Sequence, residues 1–401
     1  MREEPYVSPW IIHKSDLLKK KKPILSRLDI ELTERCNNNC AHCYINLPKD
    51  DREAARKELS TAQWKGILKE AAGLGCMSVR FTGGEPLLRE DFEELYVFAR
   101  KAGLMVLVFT NAALITPRLA GLFKRIPPLE KIEVTVYGMS KGAYEAATRT
   151  DGSFEAAWHG INLLLRNRIP FVVKGALLSF NEREMDEFEK WAAAIPWMHG
   201  RSPAYSMFFN LRGRRDGRKN ELIKKLRPAP EEGLRIFARR KEDYVKGMKE
   251  FCSKFMRVSG DRLFSCGAGR GGCVDAYGFF QPCMLLRHPD TVYNLAGGSL
   301  EDALVNFFPK IRGMKAVNPE YLSRCARCFL KGLCEQCPAK SWMEHGTLDT
   351  PVEYFCGVAH AQARFFGLLK ERENAWEVRD WEERLDSFVK SGQEARCGSK
   401  N

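Results

Sequence analysis

From residue 27 to about residue 210, short β-branched or aromatic runs alternate with longer segments whose apolar positions recur at helical spacing. The runs at 28–32, 77–81, 105–109, 131–136, 171–177 and 205–209 read as strands. Between them, 60–73, 91–102, 117–124, 153–166 and 182–194 read as helices, with Ser60 as a start residue and Gly73 as a stop. This alternation builds right-handed βαβ units round a parallel sheet. Six of them predict an α/β fold, a partial (β/α)6 barrel of the TIM type rather than a closed eightfold one. Ligands of parallel sheets gather at the carboxyl ends of the strands, so chemistry is sought in the loop after each strand.

The pattern changes near residue 211. RGRRDGRK, followed by Pro228 and Pro230, reads as a basic, solvated connection through residue 232, and a helical stretch then runs to about 255. Residues 266–356 are rich in Gly and Cys with little periodicity, as expected where metal replaces an apolar core. Residues 359–390 are helical in pattern and charged, and 391–401 form a loose end. The expected segments are an N-terminal extension 1–26, the barrel 27–230, a helical connection 231–262, a Cys-rich domain 263–358, and a C-terminal helix and tail 359–401. No stretch approaches the roughly 18 apolar residues of a membrane span. The first thirty residues, with Arg2, Glu3, Glu4, Lys14, Asp16 and a lysine run at 19–22, lack the apolar core of a secretory signal. A soluble, cytoplasmic protein without a membrane partner is expected.

Among 401 residues, 64 are Lys or Arg and 51 are Asp or Glu, a net charge of +13. That excess would suit nucleic acid or an acidic substrate but specifies neither. The 14 cysteines carry more information. They fall below the roughly 8–10% of a disulfide scaffold. A reducing cytosol leaves thiols free unless something binds them, which favours a metal or catalytic role.

Cys36, Cys40 and Cys43 lie in ERCNNNCAHCY, directly after the first expected strand. This C-x3-C-x2-C loop brings three thiolates round one face of a small iron–sulfur cube and leaves one iron without a protein ligand, a place for a substrate to coordinate. The alternative is a three-Cys zinc site completed by His42, although structural zinc usually takes paired ligands from two separated turns. After the second strand comes Thr82-Gly83-Gly84-Glu85-Pro86. Its glycines let the backbone approach a ligand closely, and Glu85 supplies oxygens for an ammonium group. A plain strand-to-helix turn would use the same residues.

The triplet, with a ring at position 42 and a GGEP turn one strand downstream, resembles the radical S-adenosylmethionine (SAM) superfamily. The resemblance implies that the cluster on Cys36, Cys40 and Cys43 chelates SAM, with Gly83, Gly84 and Glu85 at its amino group and His42 near the adenine. Asn111 and Tyr137, after the third and fourth strands, match positions that contact the ribose or methionine end, and Arg149 matches an arginine that pairs with the SAM carboxylate. Lys174 and Asn181 are weaker matches, which a barrel-lining or loop role would also explain. The implied chemistry is one-electron reduction of the cluster, cleavage of a carbon–sulfur bond, and hydrogen abstraction by a 5′-deoxyadenosyl radical sheltered in the barrel lumen. A low-potential electron donor such as flavodoxin or ferredoxin is implied with it.

Eight further cysteines form two groups: Cys266, Cys273 and Cys283, then Cys325, Cys328, Cys334 and Cys337 in RCARCFLKGLCEQCP, followed by Cys356. The five residues between the two C-x-x-C pairs are fewer than the 15–20 or so of a zinc ribbon. Pro338 after Cys337 is similar instead to ferredoxin runs. The region resembles the SPASM extension of radical SAM enzymes, with two auxiliary [4Fe–4S] clusters. The resemblance implies Cys266, Cys273, Cys283 and Cys337 for one and Cys325, Cys328, Cys334 and Cys356 for the other. If Cys273 stands aside, the first of these has an open iron. Cys76, Cys252 and Cys397 receive no function.

Met284 stands where sulfatase-maturing relatives place an Asp, which argues against formylglycine formation. The 35 residues before Cys36 are too few for a winged-helix clasp, so a leader peptide would meet a separate binding protein or the basic 211–227 connection. The expected function is an anaerobic oxidoreductase or maturase that abstracts hydrogen from a peptide or protein, giving a thioether, a C–C crosslink or an oxidised residue. The alternatives are a radical enzyme for a tetrapyrrole or a peptide-derived redox cofactor, and a non-enzymatic zinc protein that binds nucleic acid.

Overall fold

The computed structural model describes residues 23–266, 269 and 271–391. Most of the expected N-terminal extension, the tail after 391 and Cys397 lie outside them. Six parallel strands follow one another in chain order: β1 (Arg27–Thr33), β2 (Ser78–Gly83), β3 (Met105–Thr110), β4 (Leu129–Val136), β5 (Phe171–Ala176) and β6 (Ala204–Ser206). Helices Thr61–Gly73, Phe92–Lys101, Pro117–Arg125, Ser153–Arg166 and Met185–Ala193 join them, which is the α/β partial (β/α)6 arrangement that the periodicity predicts.

Local chemistry fixes these bounds. The Ser60 side chain accepts from Gln63 N while Gln63 Oε1 accepts from Ser60 N, a reciprocal cap on the first barrel helix. One face of the strands carries Leu28, Ile30, Leu32, Val79, Phe81, Val106, Val108, Ile132 and Val134, all at most 1% exposed. It shares the core with Trp64, Leu68, Leu95, Tyr96 and Phe123 of the helices. The other face is charged. Asp29 pairs with Arg80 at 3.1 Å and Lys174 with Glu133 at 2.8 Å. Phe109 lies between the two pairs, with the Arg80 guanidinium 4.7 Å and the Lys174 ammonium 3.5 Å from its ring centre.

The structure departs from the sequence pattern in three places. The sixth strand ends at Ser206 instead of 209, and Met207, Phe209 and Leu211 leave it to be buried at 3%, 4% and 2% exposure. The basic 211–232 stretch is solvated only in part: Arg214, Arg215, Arg218, Lys224 and Lys225 are exposed, whereas its start is buried. Arg212 is buried, its N–H donating to Asn220 Oδ1 at 2.7 Å, and Gly217–Leu226 is a helix with Ile223 in the core. Alternating apolar positions at 207, 209 and 211 pull the chain inward despite its arginines. Second, the pattern read as one helix over 359–390 is two, Glu353–Phe365 and Trp381–Lys390, the first stopping where Gly367 adopts φ +73°. Third, three short strands emerge from the Gly- and Cys-rich region. β7 (Gly272–Val274) runs parallel to β1, and β8 (Phe279–Gln281) and β9 (Tyr293–Asn294) continue the sheet antiparallel.

The chain forms two compact units. The first holds the described residues of Met1–Leu226 and Gly267–Ile311, the second those of Arg227–Cys266 and Arg312–Asn401. In the second, helix Pro230–Phe237 packs on Glu353–Phe365 and Lys241–Phe255 on Trp381–Lys390. Cys252, Phe329, Leu330, Ala363 and Leu368 form its dry centre. Cys252 and Cys76 are both buried, as small apolar residues are. Among the described residues no helix is long and apolar enough to cross a membrane.

Within the first unit, Arg287 ties the β8 side of the sheet to β1. Its guanidinium bonds the fully buried Glu31 carboxylate and reaches Asp275 at 3.1 Å. Burial lifts the Glu31 pKa to about 7 against the pull of Arg287. Replacing Arg287 by Met leaves that carboxylate without its counter-ion and is expected to destabilise the unit by about 3–5 kcal/mol in urea denaturation. Glu31→Leu added to Arg287→Met should recover part of that loss; a single variant as stable as the parent would refute the assignment.

Candidate active site

Beyond Thr33 the chain makes a closed loop. Arg35–Cys36 pairs in parallel with Leu47–Pro48, and Leu47 N donates to Glu34 O at 2.8 Å. Glu58 clamps Arg35 through two N–H···O bonds of 2.8 and 3.0 Å. At its far side the loop hangs from the end of helix Lys141–Thr148, with Asn39 N donating to Thr148 O and Ala41 N to Ala147 O, both at 3.0 Å. Cys36 and Cys40 are buried and Cys43 is half-buried. Burial, then the neighbouring Cys43, pushes Cys40 up to about 12, and burial lifts Cys36 as well. Cys36 and Cys40, raised in this way, become thiolates together only when a cation compensates them.

The turn after β2 is fastened to this loop by backbone alone. Gly84 N donates to Thr33 O at 2.7 Å and Glu85 N to Arg35 O at 2.9 Å. Gly83 has φ +131°, and a Cβ on Gly84 would stand 2.2 Å from Arg35 O. The close approach these glycines permit is thus to the exit of β1. The Glu85 carboxylate is 1% exposed and occupied: Oε1 accepts from Thr110 Oγ1 at 2.9 Å and Leu87 N at 3.1 Å, and Oε2 from Asn111 N at 2.8 Å. Burial raises its pKa to about 7 against those donors. Asn111 passes the connection on, its Nδ2 lying 2.9 Å from Asn37 Oδ1 and 3.8 Å from Cys36 Sγ.

Cys36, Cys40, Cys43, His42, Gly83, Gly84, Glu85, Asn111 and Tyr137 therefore form one contiguous patch at the carboxyl ends of β1–β4. Tyr137 donates its hydroxyl to Cys40. Its ring is 5.7 Å from His42, which Phe209 covers at 4.8 Å. Burial drives the His42 pKa down to about 4, and its Nδ1 has no partner. The buried Tyr144 hydroxyl is likewise unpartnered. Arg149 caps helix Lys141–Thr148 in a left-handed conformation and is exposed, with Lys219 in its electrostatic neighbourhood. Lys174 belongs to the charged strand face described above. Asn181 is spent on the loop, donating to Tyr137 O and Ala176 O and accepting from Leu178 N, each at 2.8 Å.

Phe209, Arg212 and Lys219 are contributors that the motif reading passes over. Arg212 donates to Asn46 O at 3.1 Å and Lys219 to Asn46 Oδ1 at 2.6 Å, which pins the descending limb of the Cys loop. With Cys36, Asn37, Asn38, Asn39 and Thr150, Arg212 and Lys219 line an open cavity of about 580 Å³. The alternating apolar spacing from 207 to 211 was the available signal.

The remaining cysteines divide between the units. Cys273 is fully buried in β7, opposite Asp29 of β1, and Cys283 is half-buried in the same unit. In the second unit Cys266 is exposed, whereas Cys325, Cys328, Cys334, Cys337 and Cys356 all line one cavity. Burial raises Cys325 and Cys328 to about 12 and Cys334 to about 11, and each lies near enough to feel the Cys356 charge. Among the described residues no three His, Cys, Asp or Glu converge closely enough to hold a single metal ion.

Residues 30–194 match the family model described as Radical SAM superfamily. An AdoMet-dependent heme synthase of Methanosarcina barkeri is 26% identical over 79% of this chain and 92% of its own. The mycofactocin maturase MftC of Mycolicibacterium smegmatis is 27% identical over 80% of each. The fold is shared with anSMEcpe with bound AdoMet (TM-score 0.59, 14% identity, 94% of this chain and 98% of that one). It is shared too with Streptococcus suis SuiB bound to precursor peptide SuiA (TM-score 0.57, 16% identity, 84% and 76%). Residues 30–194 form a domain of the radical SAM superfamily. The protein is a radical SAM enzyme whose cofactors are a [4Fe–4S] cluster and SAM, and the fold it shares with anSMEcpe and SuiB extends over the Cys-rich region. The donor set at the strand ends fits the cluster and SAM: three thiols, of which Cys36 and Cys40 need a cation to ionise together, and buried polar atoms on His42 and Tyr144 without a protein partner.

Gly84→Ala should drive the turn off Arg35, lowering the melting temperature and raising the rate at which Cys36 and Cys40 are alkylated in the metal-free protein. Gly142→Ala, whose Cβ meets nothing within 4 Å, should change neither. Mass spectrometry of the alkylated peptides reads the difference, and equal rates in both variants would contradict the packing argument.

Proposed function

We propose that this chain matures a peptide or protein by abstracting hydrogen from an unactivated C–H, leaving a thioether, a C–C crosslink or an oxidised residue. Cys36, Cys40 and Cys43 hold the SAM-binding cluster, and Cys325, Cys328, Cys334 and Cys356 hold an auxiliary one. With cluster and SAM bound, reductive cleavage supplies a 5′-deoxyadenosyl radical. The protein's part is to orient and exclude water. Gly83, Gly84 and Glu85 receive the amino group of SAM, with the Glu85 carboxylate holding the turn and Asn111 in register. His42 packs at the adenine, backed by Phe209, and Tyr137 steadies Cys40. Arg149 takes the carboxylate of SAM. A low-potential flavodoxin or ferredoxin as reductant, and a cytoplasmic setting, belong to the same reading.

The observation that carries the peptide reading is the charge balance of the strand face below the cysteines. Asp29 and Glu133 each hold a cation, Arg80 and Lys174, across the Phe109 ring. A face whose charges already cancel suits a peptide segment better than a polycarboxylate, which would call for unpaired cations. The likeness to MftC, a maturase by name, over 80% of both chains points the same way. The comparable likeness to a heme synthase favours a second reading, a tetrapyrrole carboxylate as substrate.

One experiment separates them. The protein is co-expressed anaerobically with a short peptide encoded beside it, and the peptide is weighed; loss of two hydrogens supports maturation. An unchanged peptide together with a changed mass of an added tetrapyrrole carboxylate supports the second reading. Reconstituted protein should carry at least about 8 iron per chain, four for each [4Fe–4S] cluster assigned above, and release 5′-deoxyadenosine from SAM. Cys40→Ala should abolish that release, and full activity in this variant would remove the triplet from the mechanism. Cys334→Ala should lose iron while retaining SAM cleavage uncoupled from product.

A further inference from the structure

One cysteine of the second unit has hydrogen-bond donors directed to it that its role as a ligand does not use. Cys356 lies in the first turn of helix Glu353–Phe365, and His360 follows one turn later. Ala375 N donates to His360 Nε2 at 3.2 Å, which places the ring proton on Nδ1. Nδ1 in turn shares its one proton between Cys356 O at 2.9 Å and Cys356 Sγ at 3.5 Å. Arg324, the residue before Cys325, reaches the same sulfur with Nη2 at 3.8 Å. Its guanidinium is fixed by Glu320 at 2.5 Å, by Glu353 at 2.7 Å, and by the Trp376 ring 4.7 Å away. Arg324 Nε is buried and has no partner. Both Arg324 and His360 line the cavity that Cys325, Cys328, Cys334 and Cys356 share.

We propose that Arg324 and His360 are positioning residues that raise the reduction potential of the cluster held by Cys325, Cys328, Cys334 and Cys356, by donating hydrogen bonds to the Cys356 sulfur. The inference rests on the reading that these four cysteines hold a cluster. Reduction adds one negative charge to a site whose ligands are already anionic. A guanidinium and an N–H beside a ligating sulfur stabilise that added charge, and hydrogen bonds to sulfur are a main lever on such potentials. The unpartnered Nε of Arg324 is a further donor at the same cavity, which an acceptor sulfur would satisfy. A purely structural Arg324, tying Glu320 to Glu353, would leave the potential untouched.

The test is a redox titration of the anaerobically reconstituted full chain, followed by electron paramagnetic resonance, with iron measured in parallel. Arg324→Gln should keep its iron and shift one cluster to a more negative midpoint. The expected size is a roughly tenfold fall in the ratio of reduced to oxidised cluster at the parent midpoint, about 59 mV for one electron. Arg324→Lys should fall between the two, and His360→Phe should shift the same cluster in the same direction by less. Full iron with unmoved midpoints in Arg324→Gln overturns the proposal. So does iron lost from Arg324→Gln but kept in Arg324→Lys at the parent midpoint, since that assigns Arg324 to structure. If both arginine variants lose iron, His360→Phe decides, and an unshifted midpoint there is equally fatal. Cys334→Ala tells the two failures apart: parent-level iron in that variant sinks the ligand reading, whereas iron that depends on Cys334 with unmoved potentials sinks only the tuning.

Discussion

Two hydrogen bonds between backbone segments, Gly84 to Thr33 and Glu85 to Arg35, set the spacing on which the candidate site depends. They hold the turn after β2 against the exit of β1, and only residues without a Cβ allow that approach. Everything else is referred to this seam. Glu85, fixed by it, accepts from Thr110 and Asn111 at the end of β3, and Asn111 reaches back to Asn37 and Cys36. Three strand ends are thereby locked together, the first two by backbone and the third through the Glu85 and Asn111 side chains.

The sheet's two faces then do different work. The apolar face buries itself under helices and supplies stability. The opposite face carries paired charges beneath the cysteines, and Arg287 extends that pairing to β8 by gripping Glu31 and Asp275. Charges placed there are costly to desolvate, so their mutual pairing is what makes the face tolerable. The second unit meets the opposite problem. Its apolar centre is small, and five cysteines line a neighbouring cavity; burial pushes four of them, Cys325, Cys328, Cys334 and Cys356, towards the protonated thiol. A region of this composition gains its order from what the sulfurs bind.

Much of the barrel was legible in the sequence because its strands and helices have strong, distinct periods. The cap at Ser60, the strand at 105 and the helix at 153 are local events. The sheet extension β7–β9 was not legible: strands of two or three residues carry too few positions to establish a period, and the register of β7 is decided by β1. The segment from 207 to 226 was obscured by its arginines, although Met207, Phe209 and Leu211 alternate as buried residues do. Of the candidate residues, Asn181 and Lys174 turned on partners far along the chain, Tyr137 and Glu133, which no local reading could supply.

By itself, the sequence determined the alternation of elements, the triplet after β1, the GGEP turn after β2 and the concentration of cysteines near the C-terminus, since each is written in spacing along one strand or loop. Tertiary structure decided which groups meet. It spent the Glu85 carboxylate on Thr110 and Asn111, placed Phe209 over His42, brought Arg212 and Lys219 to Asn46, and directed Arg324 to the Cys356 sulfur. These are contacts between segments far apart in the chain, and burial chooses them only after the backbone has closed round them.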